Sequence, residues 1–402
     1  MRVLFLTHRL PYAPNRGDRI RAYHILRLLC QRADVELVSL VHDADEARHA
    51  DDVRQLGARV TVVAVPRIRN LIRAGAALIT TRPLTHVLLD APGIDARLRL
   101  ICAERRPDLV LAYCSGMAQF AVKPPLADIP FVLDLVDVDS QKWREMATRA
   151  ARPMRWVYQR EAKRLGAFEA HAARTSAATI VVNEREAGLA RQLGPDSRVE
   201  VVSNGIDLAV FAPTGAPTTS PRVVFCGVMD YAPNEEAALW LVQEIWPLVR
   251  ARRADALLRL VGSNPTRRLR AACRADASIE VTGVVPDVRP MLWGSAVAAA
   301  PLRIARGLQN KALEALAAGL PTVITSAVAA GLPADALPGC AVADSAEEFA
   351  ANLLARLALE PADRRAYAAR AQLSGLDWSR TLAPLWSILT QSCAEPASAT
   401  RI

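Results

Sequence analysis

Two rhythms alternate along the chain. Short apolar runs rich in β-branched residues, VLFLT, VELVSLV, VTVVAV, DLVLAY, FVLDLV and TIVVN, punctuate the first half, and VEVVSN, VVFCG, LLRLVG, IEVTG, VAAAP and TVIT the second. Between them lie longer segments in which apolar residues return every three or four positions, as on one face of a helix. Runs that are apolar throughout suit strands buried on both faces, so the alternation predicts an α/β chain with parallel sheets covered by helices. A cluster of turn residues, PTGAPTTSP from Pro213 to Pro221, interrupts the pattern soon after VVSNGID, Val201 to Asp207. Two doubly wound domains are therefore expected, residues 1–200 and 201–375, with a helix and a frayed tail over 376–402. The length of 402 residues agrees, since single cores rarely grow past about 250–300 residues.

Composition narrows the chemistry. Apolar residues make up 51% of the chain, yet no run approaches the roughly 18 apolar residues of a membrane span. The opening MRVLFLTHR is too short for a signal segment and reads as a first strand, so the expected location is the cytoplasm. Seven scattered cysteines without a CxxC pair read as reduced thiols. All six histidines fall in the first half without HExxH-type spacing, and no protein-bound metal is expected. Neither half carries GxGxxG after its first strand, which weighs against a nicotinamide or flavin dehydrogenase. The net charge of +9 suits anionic lipid or a phosphorylated substrate. Nucleic acid ranks last, because aromatic residues are only 5% and no nucleic-acid-binding motif is present.

In open α/β sheets ligands bind beyond the carboxyl ends of the strands, and candidate residues should follow the strand runs. After the first run, Asn15, Arg16, Gly17 and Asp18 form a polar turn that opens a helix, with Arg19 and Arg21 close behind. This is either an anion site at a helix N-terminus or a capped helix with a basic face. In FVLDLVDVDSQKW a buried strand runs into three acids, Asp134, Asp137 and Asp139. Clustered carboxylates can orient a sugar hydroxyl; the structural alternative makes Asp139 or Ser140 a helix cap. In RGLQNKALEALAAGLPTV, Arg306 to Val323, helical spacing puts Gly307, Lys311, Glu314 and Ala318 on one stripe, predicted to face outward, with Ala312, Leu313 and Leu316 on the packed side. A solvated ion pair is one reading of that stripe. In the other, Arg303, Arg306 and Lys311 surround a helix start whose N–H groups, from Gly307 through Leu308 to Asn310, suit a dianionic diphosphate. Glu314 would then accept hydrogen bonds from a vicinal diol such as a ribose.

Taken in order, SNGID, CGVMDYAPNEEAALWLVQEIWP, VTGVVPDV and GLQNKALEALAAGLPTV resemble the family 4 retaining glycosyltransferases. The opening LTHRLPYAPNRGDRIRAYHILRLL, together with LDLVDVDSQKW, is similar to the sugar transferases associated with bacterial exopolysaccharide and PEP-CTERM export clusters. The resemblance covers nearly the whole chain. It implies the GT-B fold, two Rossmann-like domains facing each other across a cleft, with the C-terminal helix returning to the N-terminal domain. It also implies a nucleotide diphosphate sugar as donor, a saccharide or lipid-linked acceptor, and no resident cofactor. Glu314 matches the second glutamate of the family's E-x7-E motif, which holds the donor ribose; Arg306 stands in place of the first, so that contact is absent or replaced. Met229, Asp230 and Asn234 fill the region where other members carry an Arg and a Lys for the diphosphate, which shifts the expected clamp to Arg303 and Lys311. Asp137 stands where members often carry a histidine and becomes the expected catalytic group of the N-terminal domain. Gly283 and Val284 would border the base.

In the implied reaction negative charge builds on the departing diphosphate, so cations and a helix N-terminus stabilise the transition state more than the ground state. Two other readings share the scaffold. A nucleotide-sugar 2-epimerase needs acid and base groups from both domains, although the second half has no histidine. A non-catalytic partner in polysaccharide assembly is suggested by Arg306. Separately, RIRNLIRAGAALITTRPL, Arg67 to Leu84, sets arginines around an apolar centre: either a segment that lies on an anionic membrane, or a helix packed on its own sheet with snorkelling arginines.

Overall fold

The computed structural model describes residues 1–12, 17–305 and 308–394, without the side chains of residues 17, 18 and 149. The chain divides into two compact units, Met1–Gly205 together with the segment from Trp378 onward, and Ile206–Asp377. In the first unit β1 (Arg2–Thr7), β2 (Asp34–Val41), β3 (Arg59–Ala64), β4 (Leu109–Tyr113), β5 (Phe131–Val136), β6 (Ala178–Val181) and β7 (Val199–Val201) form one parallel sheet in the order β3-β2-β1-β4-β5-β6-β7. VEVVSN, grouped by pattern with the second half, is thus the last strand of the first sheet. The boundary falls at Gly205 because Arg21 donates to Val202 O (2.8 Å) and Asn204 Oδ1 (3.1 Å), tying SNGID back to the first unit.

Why the strands read as solid apolar runs is plain in β1, all six residues of which are buried. Leu4 and Leu6 enter the core on one face of the sheet, Val3 and Phe5 the core on the other. The second core also takes Trp378, Leu382, Leu385, Ile388 and Leu389, so the C-terminal helix Ala383–Ala394 belongs to the first unit. The expected frayed tail, residues 395–402, lies outside the described residues.

The second unit repeats the plan with β8 (Arg222–Cys226), β9 (Leu257–Val261), β10 (Ile279–Gly283), β11 (Val297–Ala300), β12 (Thr322–Ile324) and β13 (Cys340–Val342), ordered β10-β9-β8-β11-β12-β13. Val223 and Phe225 face one core and Val224 the other. In both sheets the order reverses beside the first strand, between β1 and β4 and between β8 and β11. Such a switch point opens a crevice at the carboxyl ends of its strands. Among the described residues no helix is long and apolar enough to cross a membrane.

Candidate active site

Beside the switch point of the second unit, the ends of β8 and β9 come close together. Gly262 follows β9 with φ +151, and a Cβ there would meet Gly227 O at 1.7 Å, so the chain ends of β8 and β9 approach as only glycine allows. Gly227 in turn lies under Asn234, whose Nδ2 donates to Val228 O at 2.9 Å. Asn234 is buried, and its Oδ1 accepts from Lys311 Nζ at 2.5 Å. The ammonium also sits 5.2 Å from the centroid of the Phe225 ring, a cation–π contact. Asn234, expected at the donor, is therefore first of all the group that positions Lys311.

Lys311 and Glu314 are half-buried on the helix Asn310–Ala317, and Ala318 beyond them is buried. The expected outward-facing stripe is corrected accordingly: Asn234 and Phe225 cover Lys311, and Ala318 packs in an apolar cluster with Val224 and Ala298. Burial lowers Lys311 to about 8, with the charge of Glu314 opposing the shift. Burial raises Glu314 to about 7, opposed by Lys311. Cys226 is pushed up to about 12 by burial and by the charge of Glu314, and stays a thiol. Among the described residues no side chain caps the helix, and none meets the buried Oδ1 of Asn310. The N–H of Asn310 closes on Leu308 O at 3.2 Å, so it is spoken for where a free donor was expected. Arg306 and Gly307 lie outside the described residues.

Arg303 is placed differently from Lys311. Its guanidinium stacks over Trp240 (4.3 Å) and lies 3.8 Å from Glu244 Oε2, which also accepts from Trp240 Nε1 at 3.2 Å. A π-helical turn, Leu241–Ile245, carries Glu244. Asp230 is exposed and accepts from Asn264 Nδ2 at 3.1 Å. Gly283 ends β10 with φ +72 and Val284 stands 75% exposed beside it. Tyr231, which the sequence reading passed over, is exposed near Asp230.

The first unit builds a second polar cluster at its own strand ends. Both β4 and β5 finish in left-handed non-glycine residues, Cys114 (φ 69) and Val136 (φ 66). For β-branched Val136 this conformation is costly, and strain of this kind gathers at functional sites. It coincides with a bulge between Asp134 and Val136 in the pairing of β5 with β6, and it redirects the chain that follows. Lys142 Nζ bridges Asp137 (3.1 Å) and Asp139 (3.0 Å), and Asp139 also accepts from Ser115 Oγ at 3.1 Å. Burial opposes the charge of Lys142, but Asp139 and Asp137 outweigh it and hold the ammonium above the ordinary lysine range. Cys114 Sγ lies 3.4 Å from His8 Nδ1, and His8 stacks on Tyr113. His8, Cys114, Ser115 and Lys142 were not singled out from sequence, although His8 directly follows a strand run.

Two expectations for this unit change. Asp139 does not cap the helix Asp139–Arg149: Ser140 N donates to Glu169 at 3.3 Å, and the cap thus comes from a neighbouring helix. Burial raises Glu169 to about 8. Nor do Arg19 and Arg21 offer themselves to an anion. Arg19 donates to Tyr12 Oη (2.6 Å) and Glu46 (3.2 Å), and Arg21 pairs with the fully buried Asp134 at 2.8 Å. Internal carboxylates have taken both guanidinium groups. Asn15 and Arg16 lie outside the described residues, and of Gly17 and Asp18 only the backbone, at the start of the helix Gly17–Cys30, is described.

Comparison with known proteins adds to this geometry. A family model described as glycosyl transferases group 1 matches residues 220–358, and one described as a glycosyl transferase 4-like domain matches residues 17–205, together most of the chain. Among curated proteins none matches the chain in sequence. The crystal structure of HepE from Anabaena in complex with UDP and glucose is 15% identical, covers 97% of this chain and 100% of its own, and superposes with a TM-score of 0.67. TarM is 7% identical over 96% of this chain and 98% of its own, with a TM-score of 0.66. A glycosyltransferase from Rickettsia africae is 10% identical over 97% and 98%, with a TM-score of 0.64. At these identities the likeness establishes the fold, two Rossmann-like units of the GT-B kind.

Proposed function

The chain belongs to the group 1 glycosyltransferases, and from that premise we propose that it moves a sugar from a nucleoside diphosphate donor to a saccharide or lipid-linked acceptor with retention of configuration. The observation that carries the donor reading is the Lys311–Glu314 couple, a desolvated cation and anion one turn apart at an uncapped helix start. Lys311 suits the diphosphate and Glu314 the ribose hydroxyls, with Leu308 and Asn310 at the helix start and Gly283 and Val284 toward the base. Asp230 and Asn234 line the same strand ends. Uracil heads the possible bases, since the Anabaena protein was crystallised with UDP and with UDP-glucose.

In the proposed reaction the bond from the anomeric carbon to the diphosphate oxygen breaks, and a bond to the acceptor oxygen forms on the same face. The acceptor's proton passes to the departing phosphate oxygen. Charge grows on the diphosphate as this happens, and Lys311 meets it in a partly desolvated site where it counts for more than in water. Asp137 would favour the positive charge at the anomeric carbon. Arg303 could join only by leaving Trp240 and Glu244. The reaction so drawn calls on no resident metal or cofactor. We place the enzyme in the cytoplasm, in exopolysaccharide or cell-surface glycan synthesis.

A thermal-shift series with UDP-, GDP-, ADP- and TDP-sugars tests the reading. A true donor at a hundred times its Kd stabilises by about 2.7 kcal/mol. No stabilisation by any of them would remove the donor site.

A further inference from the structure

The helix Arg67–Ala77 turns its small and polar residues inward and its large apolar residues out. Ala74 and Ala77 pack with Val87 and Leu84. Buried Asn70 donates through Nδ2 to Leu88 O (3.1 Å) and Asp90 O (2.7 Å), which fixes that inner face. On the opposite side Ile68, Leu71 and Ile72 are 80%, 68% and 73% exposed, and Ile79 just past the helix is 93% exposed. At about 100° per residue the three helical side chains share one strip with Gly75. A helix that packs on its own sheet shows the reverse arrangement. Contiguous exposed apolar surface of this kind marks a contact site.

The surface continues onto a second helix, Met154–Thr175. Its Arg160 donates to the carbonyl oxygens of Ala77, Leu78, Thr80 and Arg82, which pins the start of this helix beside the end of the first. One turn before Arg160, on the same side, Trp156 is 53% exposed. The rim is mainly basic, with Asp90 paired to Arg73 and Arg82. Arg67, Arg69, Arg152 and Arg155 are exposed, and no Asp or Glu occurs from Pro66 to Arg82.

We propose that this face docks on an anionic phospholipid surface, with the aliphatic side chains and Trp156 entering the headgroup boundary and the arginines meeting lipid phosphates. An aliphatic strip inside a mainly basic rim complements such a surface, and tryptophan favours that depth. Docking is a property of the surface and does not rest on the glycosyl-transfer reading; a lipid-linked acceptor gives it a use.

Sedimentation of the full chain with phosphatidylcholine vesicles, and with vesicles holding about one-third phosphatidylglycerol, tests the proposal. Binding to the anionic vesicles is expected to be stronger by about tenfold or more. Leu71→Asp combined with Ile72→Asp, both at exposed positions, should abolish it while leaving the melting curve in place. Arg67→Glu with Arg69→Glu should reduce binding to the level of neutral vesicles. Absence of pelleting with either vesicle, or full pelleting of the aspartate variant, overturns the proposal. So does concentration-dependent self-association in light scattering that the aspartate variant cures while vesicle binding is nil, because the face then belongs to a second copy of the chain. Donor stabilisation measured on the same preparations reports separately on the nucleotide site.

Discussion

Each unit ends its sheet in a cluster built around one lysine, and the two lysines are held in opposite ways. In the first unit Lys142, with its side chain 47% exposed, lies between two carboxylates, Asp137 and Asp139, which hold its ammonium above the ordinary lysine range. In the second, Lys311 is held by a neutral amide and an aromatic face, with Glu314 one turn away, and burial lowers its pKa to about 8. The first cluster pairs one ammonium with two carboxylates inside the protein and keeps one negative charge over. In the second, burial draws both Lys311 and Glu314 toward their neutral forms, and the proposed diphosphate and diol would be the partners that hold them charged. What sets the second cluster apart is the desolvation of its charges rather than their sum.

The sharpest way to break this comparison is Lys311→Ala. Turnover is expected to fall about 100-fold to 1000-fold and donor affinity by about tenfold, because the lysine holds the bound diphosphate and meets still more charge in the transition state. Steady-state rates beside calorimetric affinities separate the two, and an unchanged rate would end its role. Asp137→Asn comes next. A loss of about 100-fold in turnover is expected if its carboxylate faces the anomeric carbon. Asp139→Asn keeps the hydrogen bond from Ser115 and serves as its control; a dead Asp139 variant beside an active Asp137 variant would move the catalytic acid by two residues.

Smaller effects sharpen the picture further. Glu314→Gln should weaken donor binding by about tenfold, the difference between a charged and a neutral acceptor for ribose hydroxyls. Arg303→Ala is expected to lower turnover by only about threefold, because the guanidinium is already engaged by Trp240 and Glu244. A loss as large as that of the Lys311 variant, in the same rate assay, would show that Arg303 leaves Trp240 during the reaction.

How much of this was legible in the sequence follows from range. The apolar runs marked twelve strands, because parallel strands buried on both faces must be apolar throughout; β13, three residues long, was too short to stand out. Helical spacing brought Lys311 and Glu314 together, since both lie on one helix. It did not show that they are recessed, because Phe225 and Asn234 arrive from β8 and the helix after it. The same limit explains the arginines: nothing local to Arg21, on its helix, names Asp134, which lies on β5. Asp139 met the rule for a helix cap, yet Glu169 from a neighbouring helix took that place. Contacts within one element were readable, and those that join elements were not.

The claim that Lys311 and Glu314 together hold the donor is tested most directly by calorimetric titration of the best-stabilising nucleotide sugar across pH, in the wild type and in Glu314→Gln. Ribose hydroxyls favour the ionised carboxylate, so affinity should rise as pH passes about 7. It should fall again as Lys311 loses its proton through about 8. The account predicts a maximum between these values in the wild type; in the variant the acid-side rise is lost and the alkaline fall moves to lower pH, because the charge of Glu314 helps to keep Lys311 protonated. Equal affinity across this range, or a variant whose profile matches the wild type, would contradict it.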